Sequence, residues 1–198
     1  MLDLDVLVPV SGKHTSQARV IAHVADAEIL TVNAALGSRP GDVSEQWAVA
    51  PNVPAPEDCP VREHSWARDG EDIHMLFDER AIKGRFGKQR EGGASDDGHC
   101  LLWVRPRDPA TPIDRVTLAV IADFLPSGIG SALGRMAGGN SLDNTLRIRG
   151  LVETDWVLCD IRIHAAHAGF VHGRMHLFAR DGTLMATASQ SMILRIHD

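Results

Sequence analysis

The sequence predicts an α+β fold in which a curved antiparallel sheet wraps around one central helix. Three observations carry the prediction. From residue 74 onward the order is strand, strand, helix, then four strands. The helix, which should run to about residue 125, is apolar nearly all round and therefore has to be enclosed. The last two strands are joined by Arg180-Asp181-Gly182, which is hairpin chemistry.

The elements follow in chain order. Leu4, Val6 and Val8 alternate, and Pro9 with Ser11-Gly12 marks a break. Residues 18–24 and 29–34 flank Ala25-Asp26-Ala27 as a hairpin. Residues 38–65 hold five prolines and little periodicity, which predicts a linker. Strands are expected over 74–82 and 100–105, with an exposed, glycine-rich loop over 84–98 between them. The helix start has Thr111 as hydroxyl cap, Pro112 at the first position and Asp114 three residues after the cap. Beyond Gly138-Gly139 strands are expected over 142–148, 156–165, 170–179 and 183–196. The stretch 30–36 can be laid on 184–190, a weak internal repeat in which Leu36 stands opposite Gln190. Any polar site therefore belongs to the second half.

Composition narrows the function. The 198 residues are 44% hydrophobic and 23% charged, enough for a real core in one domain or two small ones. A net charge of -6 argues against nucleic acid or an anionic membrane as partner. Cys59, Cys100 and Cys159 are odd in number, widely spaced and without a CxxC, which reads as reduced thiols in the cytoplasm. No apolar run approaches the roughly 18 to 20 residues that span a bilayer. Met1-Leu2-Asp3-Leu4-Asp5 lacks the basic region of a signal peptide.

Two polar residues break apolar patterns. Asp123 interrupts the run 116–125, and a buried charge costs several kcal/mol unless hydrogen bonds hold it. Gln190 shares strand phase with Leu184, Met192 and Leu194. Both are expected to point into one apolar interior. Each also has a structural reading. Asp123 fits a helix-end carboxylate facing solvent, Gln190 an amide satisfying backbone groups, and Ser141 a serine that opens a strand.

The chain resembles the acyl-CoA thioesterase II family, a double hotdog. The matching residues are Ile121-Ala122-Asp123-Phe124-Leu125-Pro126, Ser141-Leu142-Asp143-Asn144, Gly169-Phe170-Val171-His172-Gly173-Arg174, and 180–190 through Gln190. The resemblance implies that residues 1–37 are the closing strands of an incomplete first hotdog. It makes 38–65 the linker and 66–198 a complete second hotdog that carries the site. It implies hydrolysis of a fatty acyl-CoA by one water held by Asp123, Ser141 and Gln190. Ser141 stands where the family often has threonine. No cofactor or metal is implied, and hotdogs usually pair, so a homo-oligomer is expected.

The chemistry is coherent. Asp123 would take the proton of water, with burial raising its pKa toward a useful value. Gln190 and Ser141 would orient that water toward the thioester carbonyl. One rival is a non-catalytic acyl-CoA or lipid-binding protein on the same fold. A hotdog hydratase would need a histidine with an acidic partner, and 112–126 contains none. Neither His164 with His167 nor His172 with His176 has a ligand-spaced carboxylate or cysteine. No GxSxG elbow exists around Ser127. Arg147, Arg149, Arg162 and Arg174 fit either coenzyme A phosphates or a solvated strand face.

Overall fold

The computed structural model describes residues 1–62, 72–84 and 94–197. The chain divides into two compact units, Met1–Glu45 and Gln46–Asp198. The first is a three-stranded antiparallel sheet of β1 (Leu2–Ser11), β2 (Thr15–Val24) and β3 (Ala27–Gly37) in sequential order. Its register aligns Leu4 with Ala22 and Leu30, and Val6 with Val20 and Val32. The alternation seen in the sequence thus becomes one apolar face. The β2–β3 turn passes through Ala25 at φ 51.

In the second unit, β4 (Phe77–Lys83) and β5 (His99–Pro106) precede two helices, α1 (Arg115–Ala122) and α2 (Ser127–Leu133). Five strands follow: β6 (Ala137–Ser141), β7 (Thr145–Ile148), β8 (Val157–His167), β9 (Phe170–Ala179) and β10 (Leu184–Ile196). They form a sheet of order β4-β5-β8-β9-β10-β6, with β7 pairing on the same edge of β10 as β6. This is the expected α+β arrangement, a curved antiparallel sheet around a central helix. One face of the sheet, through Leu102, Cys159, Ile161, Met175, Leu177 and Met192, encloses Leu118, Ile121 and Leu125. Fully burying such a side chain is worth about 1.5–3 kcal/mol.

The helical region departs from expectation. The N-cap of α1 is Asp114, whose carboxylate accepts from Thr117 N at 2.9 Å. Thr111 is instead held in a turn by Asp108, with Thr111 N donating to Asp108 O at 3.0 Å. The helix stops at Ala122, and a second short helix begins after Pro126. Pro126 has no N–H to donate to Ala122 O, and the chain crosses the break by tighter i→i+3 bonds, Phe124 N to Ile121 O and Ser127 N to Phe124 O. Gly128 belongs to α2 because a Cβ there would lie 2.9 Å from Ile161 Cγ2 and 3.2 Å from Cys100 Sγ. The stretch Arg115–Leu133, with mean hydropathy 1.6, is long and apolar enough to pass as a membrane span by composition. No such stretch was expected. Here it is the helix pair that the sheet encloses.

Residues 46–62, within the span expected as linker, are tied to the outer face of the second unit's sheet. Gln46 Nε2 donates to Gly182 O at 3.0 Å, and Leu184 N donates to Gln46 Oε1 at 2.7 Å. Trp103 Nε1 donates to Pro54 O at 3.0 Å. Ala48, Ala50, Val53 and Cys59 pack with Trp103, Trp156, Leu158 and Phe178. Part of the expected loop, 85–93, lies outside the described residues.

Two predictions arise from this packing. Burial pushes the Cys100 thiol up to about 12 and raises Cys159 and Cys59 as well. Only a thiolate reacts. A disulfide reagent at pH 8 should therefore modify none of the three quickly until denaturant unfolds the chain. A thiol that reacts within seconds in the native protein would contradict this packing.

The second concerns His99. Its Nε2 donates to Asp160 Oδ1 at 2.8 Å, while Lys83 Nζ donates to its Nδ1 at 3.3 Å. Burial lowers the His99 pKa, against the raising pull of Asp160. The unfolded chain therefore binds this proton at a higher pH than the folded one. Stability is full above about pH 6.5 and falls as pH drops below it. Melting temperature should decline from pH 7 to pH 5, and His99→Gln should flatten part of that decline. His176, lowered by burial and then by Arg174, supplies a further part. Identical slopes for parent and variant would refute the assignment.

Candidate functional site

Asp123 is not inside the core. It is exposed and forms the C-cap of α1 with φ -81 and ψ 3. The interior carboxylate expected from the sequence, and the burial that was to tune it, are replaced by a carboxylate at a helix end. The position still opposes stability. A helix C-terminus carries negative partial charge, and a carboxylate there costs about 0.3–1 kcal/mol. Hydrogen-bond donors offset this. Gln190 Nε2 donates to Asp123 Oδ1 at 2.8 Å, Ser141 Oγ lies 3.3 Å away and Asn144 Nδ2 lies 3.5 Å away. All three address Oδ1, which leaves Oδ2 without a hydrogen-bond partner among the described residues.

Gln190 is buried, as its strand phase suggested, and shares a face with Ala186, Ala188 and Met192. Leu184 falls on the opposite face because the register shifts between Leu184 and Ala186. The Gln190 amide nitrogen faces Asp123 because a carboxylate only accepts. It also lies 3.5 Å from Ala122 O, a carbonyl at the end of α1. Its Oε1 lies 3.3 Å from Ser141 Oγ. The structure thus brings Asp123, Ser141 and Gln190 into one hydrogen-bonded group at an exposed edge of the core.

Strand pairing places the hydroxyl. Ser141 ends β6 opposite Met192, and β7 resumes with Thr145 opposite Ser189. The bend between them is pinned to β10. Leu142 N donates to Ser191 O at 2.8 Å, and Ser191 N donates to Asp143 Oδ1 at 2.5 Å. Ser-Leu-Asp-Asn therefore sets Ser141 and Asn144 on either side of Gln190.

The other side of the helix break rests on a cluster that sequence reasoning missed. Glu79 shares the inward phase of β4 with Phe77 and Ala81, the one signal that could have found it. It forms an ion pair with buried Arg62, whose Nη1 donates to Ser127 Oγ at 3.2 Å. His74 Nδ1 meets Glu79 Oε1 at 2.8 Å, and the His74 ring lies 4.2 Å from that of Phe124. Such buried pairs add little net stability but fix geometry. This one holds Phe124 and Ser127, on either side of the turn that Asp123 opens.

Other candidates disperse. His172 Nδ1 contacts Ser191 Oγ at 3.2 Å, and Arg174 Nη1 donates to His176 Nε2 at 3.2 Å. Among the described residues no group of three His, Cys, Asp or Glu could hold a metal ion.

Comparison with known proteins agrees with the fold. The family model described as acyl-CoA thioesterase C-terminal domain matches residues 54–194. A provisionally assigned thioesterase from Novosphingobium aromaticivorans DSM 12444 is 36% identical, with 98% of this chain covering 73% of that one at a TM-score of 0.83. A hot dog fold protein from Alicyclobacillus acidocaldarius is 20% identical over 98% of this chain and 73% of its own, at a TM-score of 0.81. Acyl-CoA thioesterase II TesB2 from Mycobacterium marinum is 24% identical over 98% and 74%, at a TM-score of 0.74. These last two are likenesses of fold. No curated protein matches.

Proposed function

The chain belongs to the acyl-CoA thioesterase C-terminal domain family, and on that premise we propose that it hydrolyses fatty acyl-CoA by direct attack of water. The observation that carries this reading is the polarity of Asp123. Its Oδ1 receives Gln190, while Oδ2 has no hydrogen-bond partner among the described residues. A water beside Oδ2 gives up a proton to the carboxylate as its oxygen bonds to the thioester carbon. The tetrahedral intermediate then collapses with cleavage of the C–S bond. Coenzyme A leaves as thiolate and is protonated, and the acid is released. Gln190 and Ser141 orient the base and the water, a positioning effect. No covalent nucleophile takes part.

In this reading residues 1–37 are the closing strands of a first hotdog, and 66–198 form the second, which carries the site. The protein works in the cytoplasm and pairs with copies of itself. The test is thiol release from short, medium and long acyl-CoAs by the full chain. Steady release on at least one chain length is expected. Tight acyl-CoA binding with no release would overturn hydrolysis in favour of a carrier or sensor on the same fold.

A further inference from the structure

We propose that Asn144 is a positioning residue that sets the direction of the Ser141 proton; the catalytic meaning of this rests on Asp123 acting as the base. Each carboxylate oxygen offers two lone-pair sites. Gln190 Nε2, at 2.8 Å, fills one site on Asp123 Oδ1. Asn144 Nδ2 at 3.5 Å and Ser141 Oγ at 3.3 Å compete for the other.

The two competitors are unequal in their options. An amide nitrogen only donates, and Asp123 Oδ1 is the acceptor that the bend 142–144 presents to Asn144. Ser141 has one proton and a second acceptor at the same distance, Gln190 Oε1 at 3.3 Å. With Asn144 seated on Oδ1, the Ser141 proton goes to Gln190 Oε1. A hydroxyl lone pair then turns toward the Asp123 side. A water between Ser141 Oγ and Asp123 Oδ2 can give one proton to each, and its own lone pair is left for the carbonyl carbon. Without Asn144 the Ser141 proton turns to Oδ1, and the hydroxyl lone pair that faced the Asp123 side is turned away from the water.

Register fixes Asn144 in this role. It lies between Asp143, which accepts from Ser191 N, and Thr145, which pairs with Ser189. The residue therefore cannot slide along β10 without breaking both anchors.

Thiol release from decanoyl-CoA by the parent chain, Asn144→Ala, Ser141→Ala and the double variant tests the claim. Asn144→Ala should lower kcat about tenfold with KM within about twofold, which marks an interaction made in the transition state. Because Asn144 acts through Ser141, the double variant should be no slower than Ser141→Ala alone. Multiplying losses, or an unchanged kcat, would overturn the proposal. Crystal structures of the parent and Asn144→Ala read the same claim without turnover. Ser141 Oγ should move to about 2.8 Å from Asp123 Oδ1 and away from Gln190 Oε1 in the variant. An unmoved Ser141 would overturn it. Asp123→Asn with full activity would instead reject Asp123 as the base, and the two structures would still decide the hydroxyl's direction.

Discussion

Asp123→Asn should fold normally and lose roughly 10²–10⁴ in kcat for thiol release, the usual worth of a positioned general base. The fold survives because the asparagine carbonyl still accepts from Gln190 Nε2, now 2.8 Å from Oδ1. Removing a charge from the C-terminal end of α1 should leave melting unchanged or raise it slightly. What is lost is the acceptor for the proton of water. A loss of that size corresponds to about 3–5 kcal/mol of transition-state stabilisation. A destabilised variant with the same loss would point to a structural role. A stable variant with unaltered turnover would reject Asp123 as the base.

Gly173→Ala should destabilise the second unit by roughly 1–3 kcal/mol, the range for an overpacked core. Gly173 lies on β9 directly opposite Gln190. A Cβ there would stand 2.8 Å from Leu125 Cδ2, 3.0 Å from Arg162 O and 3.1 Å from Ile163 Cδ1. Side chains can yield, but a carbonyl in a sheet cannot. The missing side chain is what lets the helix break settle onto the sheet beside the site. For a chain of this size the melting temperature should fall by about 2–4 °C per kcal/mol. Gly150→Ala, where no atom lies within 4 Å of the added Cβ, is the matched control and should be near neutral. Equal stability of the two variants would contradict the close approach.

The strands were legible because alternation and turns survive in the sequence: β9 is found where its pattern placed it. Glycine was the main source of error. Gly138-Gly139 read as a break, yet both lie within β6, where Gly139 allows Ile129 and Met192 to approach. The helix α2, rich in glycine at Gly128 and Gly130, had no counterpart in a reading that ended the helix at about residue 125. Local propensity assigns glycine to loops, whereas tertiary packing asked here for the smallest side chain.

The site shows the same split. Gln190 was readable from strand phase alone. Asp123 was recognised as misplaced, but for the wrong physical reason. The run 116–125 does not show that the helix ends at Ala122 and leaves Asp123 exposed as its C-cap. The correct conflict is with the helix dipole, and the solvent-facing reading of Asp123 described its setting. Asn144 carried no signal of its own, because its role depends on a bend that only β10 defines. Glu79 did carry one, a carboxylate in the apolar phase of β4. Arg62, its partner, lies in a stretch without periodicity and could not be paired with it in advance.

The most direct measurement is a crystal structure of the full chain with an acyl-CoA analogue whose thioester sulfur is replaced by CH₂, so that the ketone cannot be cleaved. A water touching Asp123 Oδ2 and Ser141 Oγ should lie about 3–3.5 Å from the carbonyl carbon, the distance of a near-attack arrangement. A carbonyl seated away from these residues, or a side-chain oxygen occupying the attack position, would contradict hydrolysis by a water held there.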